Sequence, residues 1–114
     1  MSARAAREVG LLLAHGEPTL ASVAKRLGVS DRTLHRRLSE ENTGFQALLE
    51  RARHERALLL LEDPTLSASG VAGLLGYADA STFFRAFKRW TGETPQVYRK
   101  RRAALSVDAG FAGG

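Results

Sequence analysis

Apolar residues recur at helical spacing in two stretches of the chain, and each stretch ends at a glycine. In residues 20–27 they follow an i, i+3, i+4, i+7 spacing, which predicts one buried face of a short helix before Gly28. Residues 67–75 repeat the pattern before Gly76. The apolar positions are Leu20, Val23, Ala24 and Leu27 in the first stretch and Val71, Ala72 and Leu75 in the second.

These stretches belong to a longer internal repeat, which covers residues 19–44 and residues 67–92. Each copy predicts a short helix, a turn at glycine and a second helix that carries basic residues. This order is typical of a helix-turn-helix motif. The identical pairs include Val23/Val71, Ala24/Ala72, Leu27/Leu75, Gly28/Gly76, Thr43/Thr91 and Gly44/Gly92.

The rest of the pattern predicts further helices and no strand, so the fold class is all-α. A first helix is predicted over residues 2–15, and a long helix from about residue 45 to residue 61. We expect the second helix of the first repeat to stop at Gly44, and the apolar end of the long helix, residues 58–61, to be buried on all sides. A last short helix opens at Pro95, a residue well suited to the first helical position. The predicted N-terminal caps are Thr19, Ser30, Ser67 and Asp79.

The predicted organisation is two small subdomains around one long helix. Residues 1–44 form the first helix-turn-helix subdomain, residues 45–62 the linker helix and residues 63–102 the second subdomain. Residues 103–114 are expected to form a disordered tail.

Composition narrows the possible functions. The 114 residues include 17 Lys and Arg against 12 Asp and Glu, a net charge of +5, which suits a nucleic acid or an anionic membrane as partner. No apolar run is long enough to span a bilayer, and the first residues do not resemble a secretory signal, so we expect a cytoplasmic location. Cysteine is absent, and the three histidines are scattered. We therefore expect no disulfide, metal, cofactor or catalytic residues, and no enzyme activity.

The second helix of each repeat carries the candidate chemistry on the face opposite its apolar stripe. Counted from Ser30 and Asp79, because the second turn is one residue longer, the buried pairs are Leu34/Phe83 and Leu38/Phe87. Arginine on the outward face can bond the two major-groove acceptors of guanine, which predicts a DNA-reading surface. The outward positions are Asp31, Arg32, His35, Arg36 and Ser39 in the first repeat and Ala80, Ser81, Phe84, Arg85 and Lys88 in the second.

Phe84 has two interpretations. It either packs sideways on a neighbouring helix or contacts thymine methyl groups and sugar edges in the groove. We expect Ser30, Ser39, Lys88 and Phe84 at the groove edge or the DNA backbone.

The basic residues after the second reading helix also allow two interpretations, phosphate contact or a solvated basic end. They are Arg89, Arg99, Lys100, Arg101 and Arg102, and among them Arg89 and Arg101 are our candidates for backbone contact. Trp90 and Tyr98 are predicted to pack the last helix onto the second repeat. Ion pairs are predicted between Arg51, Arg53 and Arg56 and the interleaved Glu50 and Glu55.

Residues 71–99, VAGLLGYADASTFFRAFKRWTGETPQVYR, resemble the signature of AraC/XylS-type transcription regulators. The likeness rests on the GY, the S-x-F-x-R-x-F-K, the T-G-x-T-P and the final YR, and it extends over about residues 5–102. It implies seven helices whose two reading helices enter successive major grooves. It also implies base contacts from Arg32, His35 and Arg36, and from Ala80, Ser81, Thr82 and Arg85. Ala80 is short for a base reader, and Gly70 and Gly73 weaken the helix that precedes the second turn.

The resemblance implies double-stranded promoter DNA and RNA polymerase as partners in a bacterial cell. It also implies an effector-binding or dimerising domain on the N-terminal side, so that this chain is expected to be the C-terminal part of a longer regulator; a free-standing short regulator is the alternative. Two other hypotheses fit paired helix-turn-helix units, namely the DNA-targeting module of a transposase-like enzyme and a non-specific architectural DNA binder.

Overall fold

Seven α-helices and the turns between them make up the part of the chain that the structure describes. The computed structural model describes the backbone of residues 1–113 and the side chains of residues 1–105. The helices are α1 (Ser2–Leu13), α2 (Leu20–Leu27), α3 (Asp31–Glu40), α4 (Phe45–Leu60), α5 (Ala68–Leu74), α6 (Ala80–Thr91) and α7 (Pro95–Gly113). No strand occurs within residues 1–113, and the predicted all-α class is confirmed.

The chain divides into two compact units, unit 1 (Met1–Arg56) and unit 2 (Ala57–Gly114). Each unit holds one of the two sequence repeats. The division falls within α4, whose residues up to Arg56 belong to unit 1 and whose last residues belong to unit 2. The subdomain boundaries at residues 44 and 62 remain sequence-based proposals.

Unit 1 has a core of small aliphatic side chains. In α2, Val23 and Ala24 are buried while Leu20 and Leu27 pack against them from the edge, as the apolar spacing predicts. Leu34 and Leu38 of α3 are 0% and 1% exposed, so this stripe fixes which face of α3 points to solvent. The other buried members are Ala5, Val9, Leu13, Leu48, Leu49 and Ala52.

Unit 2 has an aromatic core. Phe83 and Phe87 of α6 are both fully buried, with ring centroids 5.8 Å apart. Phe87 also meets Tyr98 of α7 edge to face at 5.5 Å and Trp90 at 6.4 Å. Tyr98 therefore packs α7 onto this unit as predicted, whereas the Trp90 ring meets Phe87 within α6. Edge-to-face ring pairs contribute stability beyond the apolar area that they bury. They therefore add to the stability of a unit whose helix α5 has only seven residues.

The end of α3 differs from the sequence prediction. The helix stops at Glu40, not at Gly44, and Asn42 takes the left-handed conformation with a φ of 59°. Asparagine tolerates this region better than most residues, since its short polar side chain can bond locally. In unit 2, Gly92 fills the corresponding role directly after α6, with a φ of 85°. The Thr-Gly pairs that align in sequence are therefore not equivalent in structure.

The four leucines at residues 58–61 predict that the end of α4 is buried on all sides. The structure shows instead that one side is exposed. Ala57 and Leu61 share one face and are buried, whereas Leu59 is 64% exposed. Two residues correspond to about 200° around a helix, so Leu59 must lie opposite that face.

Helix α7 continues past residue 102, although the sequence predicts a disordered tail from residue 103. Ala103, Ala104 and Leu105 are helical and exposed, and all three are good helix formers with no stop signal before them. The rest of that predicted tail, residues 106–114, lies outside the described side chains. Among the described helices, none combines the length and apolar character that crossing a bilayer requires.

Candidate nucleic-acid interface

Local hydrogen bonds set the start of each helix in the first repeat. The Thr19 hydroxyl accepts the backbone N–H of Ser22 at 3.0 Å, and the Ser22 hydroxyl accepts that of Thr19 at 2.9 Å, which forms a capping box. Gly28 then adopts the left-handed conformation with a φ of 72°. The Ser30 hydroxyl accepts the N–H of Thr33 at 3.1 Å, so α3 begins at Asp31. These bonds fix which side chains stand in the first turn of α3.

The second repeat uses the same scheme with different residues. Ser67 caps α5 by accepting the N–H of Gly70 at 2.9 Å, and Gly76 turns the chain with a φ of 89°. The Asp79 carboxylate caps α6 by accepting the N–H of Thr82 at 2.8 Å and its hydroxyl at 2.9 Å. The hydrogen bond from the backbone N–H of Thr82 contributes most to lowering the pKa of Asp79, and the bond from the Thr82 hydroxyl follows. Both bonds favour the ionised carboxylate that caps the helix. All four predicted caps are therefore present.

The outward face of α3 is fully open. Every candidate in the first repeat is exposed. Arg32, Arg36 and Ser39 lie away from the stripe of Leu34 and Leu38, and His35 lies at its side. Asp31, three and seven residues before those leucines, is in line with the stripe and is exposed in the first turn of α3. Arg36 lies 3.8 Å from Glu40, one turn further along, in an exposed pair that is weak in water. The exposed set, which we call the α3 face, is Asp31, Arg32, His35, Arg36 and Ser39.

The outward face of α6 is less complete than the sequence suggested. Ser81, Thr82 and Arg85 are exposed, but Ala80 and Phe84 are half-buried against the core of unit 2. The Phe84 ring centre lies 5.9 Å from that of Phe83. This contact agrees with the interpretation in which Phe84 packs within the protein. The exposed set, which we call the α6 face, is Ser81, Thr82, Arg85, Lys88 and Arg89.

The basic residues of α7 bind other parts of unit 2. Arg99 donates from Nε to the carbonyl of Leu61 and from Nη2 to that of Asp63, both at 3.0 Å. These carbonyls follow the C-terminal end of α4, where a cation is favourable. Arg99 therefore ties α7 to the end of α4, a role that neither sequence interpretation had foreseen.

Arg101 and Arg102 also have carboxylate partners. Arg101 donates to Glu93 at 2.6 Å and lies 5.6 Å from the centre of the Tyr98 ring. The bonds to Glu93, followed by the charge of that carboxylate, raise the pKa of Arg101. Arg102 donates to Glu62 at 2.9 Å. To contact a phosphate as predicted, Arg101 has to share its guanidinium between Glu93 and that phosphate or release the carboxylate.

The sequence predicts only some of the ion pairs in unit 1. Arg51 pairs with Glu55 at 3.3 Å within α4, as its spacing predicts. Arg53 reaches Glu17 at 3.4 Å, in the loop between α1 and α2. No local pattern links these two positions, so only the tertiary structure identifies the pair.

Comparison with known proteins finds transcription regulators among the proteins that the chain resembles. A family model described as a helix-turn-helix domain matches residues 23–101. An uncharacterized HTH-type transcriptional regulator of Mycobacterium tuberculosis, Rv1395, is 48% identical over 84 residues, which are 74% of this chain and 24% of that protein. The chain spans about a quarter of the length of the curated relatives it matches, from 24% to 30%.

Solved structures share the fold. The transcriptional regulator CdpR from Pseudomonas aeruginosa matches with a TM-score of 0.76 and 41% identity, over 87% of this chain and 31% of that chain. The DNA-binding domain of AdpA, a global transcriptional factor solved in complex with a target DNA, matches with a TM-score of 0.71 and 28% identity, over 91% of this chain and 94% of that chain.

Proposed function

The chain belongs to the AraC-type helix-turn-helix domain family, and from that membership we propose that it is the sequence-specific DNA-binding part of a bacterial transcription regulator. It is a binding domain and not an enzyme. The observation that carries the proposal is the pair of capped helices, α3 and α6, which each present exposed polar and basic side chains opposite a buried apolar stripe.

The α3 face supplies the direct base contacts of unit 1. Arg32 and Arg36 each carry a planar guanidinium that can donate two hydrogen bonds to O6 and N7 of guanine. His35 stands between them on the same face and can donate to a base acceptor or a phosphate. Ser30 and Ser39 lie at the two ends of α3, where we place contacts to the DNA backbone.

The α6 face supplies the contacts of unit 2. Arg85 is its long base reader, and Ser81 and Thr82 stand in the first turn, where their hydroxyl groups can bond base edges. Lys88 and Arg89 follow toward the C-terminal end of α6, and we assign them, with Arg101, to phosphates. Ala80 and Phe84 contribute apolar contact at most, because both pack against their own core.

The two faces are proposed to enter successive major grooves. Paired helix-turn-helix units read half-sites about one helical turn apart, roughly 10 base pairs. The basic charge of the chain adds attraction for any duplex, and base contacts add preference for one sequence.

The longer relatives suggest what surrounds this domain. We propose that it forms the C-terminal part of a cytoplasmic regulator whose N-terminal domain binds an effector or dimerises. Recruitment of RNA polymerase at the promoter would complete the activity.

A binding experiment with matched variants tests the proposal. Duplexes selected from a randomised library should bind with an affinity that falls steeply as salt rises, since each phosphate contact releases counterions. Arg36→Ala and Arg85→Ala should each lose about 1–3 kcal/mol on the selected site and relax preference at separate clusters of base pairs. Arg51→Ala is the control, because it removes the same charge from α4 outside both faces.

Two results would contradict the proposal. A flat response of affinity to salt would remove the electrostatic basis for binding. If Arg36→Ala and Arg85→Ala relaxed the preference at the same base pairs, the two helices could not be reading different grooves.

A further inference from the structure

The start of α1 has no side-chain cap of its own. Met1 stands at the N-cap position without a capping hydrogen bond from its side chain, and no acidic residue stands in the first turn. By contrast, α2, α3, α5 and α6 each begin at a serine, threonine or aspartate cap. The first backbone N–H groups of α1 therefore need a partner from elsewhere.

Glu41, at the end of the reading helix α3, supplies that partner. One of its carboxylate oxygens accepts the backbone N–H of Ser2 at 3.0 Å, and the other accepts the Ser2 hydroxyl at 2.9 Å. The amino group of Met1 lies 3.3 Å from the same carboxylate. The hydroxyl bond contributes most to lowering the pKa of Glu41 and the backbone bond follows, so both favour the ionised carboxylate. Neither Ser2 bond requires a free amino group.

The two ends of α3 are held in different ways. Its start is fixed locally, by the Ser30 cap and the turn at Gly28. At its end Glu41 is the C-cap residue, and its backbone N–H bonds to the carbonyls of Leu38 and Ser39. Because this residue is continuous with the helix, its carboxylate ties the end of α3 directly to α1, across 39 positions of the chain.

In unit 2 the reading helix is held by packing. The extended helix contacts of unit 1 are those of α1 with α2 and of α2 with α3, whereas in unit 2 α6 also packs against the helix that follows it, α7. Phe87 of α6 meets Tyr98 of α7 edge to face at 5.5 Å. In unit 1 the bonds of Glu41 act at the corresponding end of the reading helix.

From these contacts we propose that Glu41 is a positioning residue for base reading by unit 1, which holds the end of α3 against α1 and so fixes the tilt of the helix that carries Arg32 and Arg36. Such side chains have to be held within about 0.5 Å and 10–20° of their productive geometry. A tilt of α3 about its capped start would move Arg36 relative to a guanine. The inference rests on the proposed DNA-binding function and adds to it a residue that need not touch a base.

A double-mutant cycle tests the link from both sides. Glu41→Ala removes the acceptor, and Ser2→Pro removes both Ser2 donors with a residue that the first helical position accepts readily. Base preferences are selected from randomised duplex DNA well below the Tm of each variant. Each variant should weaken the preference by about three- to tenfold, the scale of one impaired base contact, at the base pairs that Arg36→Ala relaxes. The base pairs that Arg85→Ala relaxes should keep their preference. The double variant should lose no more than either single variant, because both changes remove one interaction.

Two further variants separate positioning from charge and from folding. Glu55→Ala removes the same charge from an exposed position of α4 and should leave the preferences at both clusters of base pairs unchanged. A lost charge alters affinity for all duplexes alike, so the ratio between bases at one position is a readout that charge alone does not move. Glu41→Gln retains an acceptor oxygen for Ser2 and should show an intermediate loss. Circular dichroism of each variant verifies that the helices are retained.

The outcomes separate the two proposals. If the Glu41 and Ser2 variants lower the Tm and leave all base preferences unchanged, Glu41 serves stability alone and the inference is wrong. Additive losses in the double variant would also overturn it, because they would mean that the two residues act separately. If the parent protein shows no sequence preference at all, the proposed function itself fails and this inference fails with it.

Discussion

Replacing Gly73 with alanine should stabilise unit 2 without affecting DNA binding. Glycine inside a helix costs about 0.5–1 kcal/mol relative to alanine, because it loses more backbone freedom on folding. A Cβ atom built on Gly73 would have no atom within 4 Å, so no clash opposes the gain. Gly73 is also exposed and is the last but one residue of α5, so the added methyl group should bury little surface. We therefore expect the gain in the free energy of unfolding to lie near the lower end of that range, about 0.5 kcal/mol.

That gain is measurable as a shift in Tm. For a domain of this size, 1 kcal/mol corresponds to about 4–8 °C, so Gly73→Ala should raise the Tm of unit 2 by roughly 2–4 °C. Thermal unfolding followed by circular dichroism gives the shift, and amide exchange in α5 shows that it arises there. Affinity for a selected duplex should not change, since Gly73 lies outside the α6 face.

Two other glycines provide matched controls. At Gly70 a Cβ atom would lie 3.1 Å from the Ser67 hydroxyl, the group that caps α5, so Gly70→Ala should give no net gain. At Gly10 in α1 no atom lies within 4 Å of the added carbon, so Gly10→Ala should stabilise unit 1 and leave exchange in α5 unchanged. A lower Tm for Gly73→Ala would refute the reasoning, because it would mean that a contact in the folded protein outweighs the helix preference.

Three further predictions concern stability. Backbone amides of residues 68–74 should exchange faster than those of residues 20–27, because α5 holds two glycines and lacks the capping box of α2; equal rates measured by hydrogen exchange would contradict this. Arg99→Lys should lower the free energy of unfolding by about 1–3 kcal/mol in denaturant titrations, because a single ammonium cannot reproduce the two-pronged contact with the carbonyls at 61 and 63. Asp79→Ala should destabilise unit 2 most at neutral pH. Since the folded state lowers the pKa of Asp79, its contribution is present above the ordinary value of about 4 and is lost as pH falls through the lower folded value, so parent and variant should converge in acid.

The helix starts could be predicted from the sequence because their causes are local. A serine, threonine or aspartate three residues before a backbone N–H is enough to form a cap, and this holds at all four predicted positions. The left-handed turns at Gly28 and Gly76 depend on one residue each. The apolar stripes of α2, α3 and α6 follow from helical spacing alone.

The features that were missed depend on tertiary contacts. The carbonyl partners of Arg99 lie 36 and 38 residues away in the chain, and no spacing rule links them. Phe84 lies beside the stripe of Phe83 and Phe87, and the aromatic core of unit 2 is wide enough to include it. Ala80, three and seven residues before those two rings, is in line with the stripe by helical spacing, and its half-burial follows from that. The end of α3 was misplaced because a sequence repeat suggested Gly44, while Asn42 could adopt the left-handed conformation two residues earlier.

The difference between the two cores has a consequence for how the faces divide the work of recognition. In unit 1 the buried stripe of α3 consists of Leu34 and Leu38, which leaves Arg32, His35 and Arg36 free to extend outward as long polar side chains. In unit 2 the aromatic core draws in Ala80 and Phe84, and Arg85 remains as the long base reader in the first two turns of α6. Base discrimination requires side chains that reach base edges, whereas phosphate contacts add affinity alone. We therefore expect the base preferences selected from randomised DNA to be strong over the half-site of α3 and weaker over that of α6. Equal preferences over both half-sites would contradict this, because they would show that short side chains such as Ser81 and Thr82 discriminate as well as arginine does.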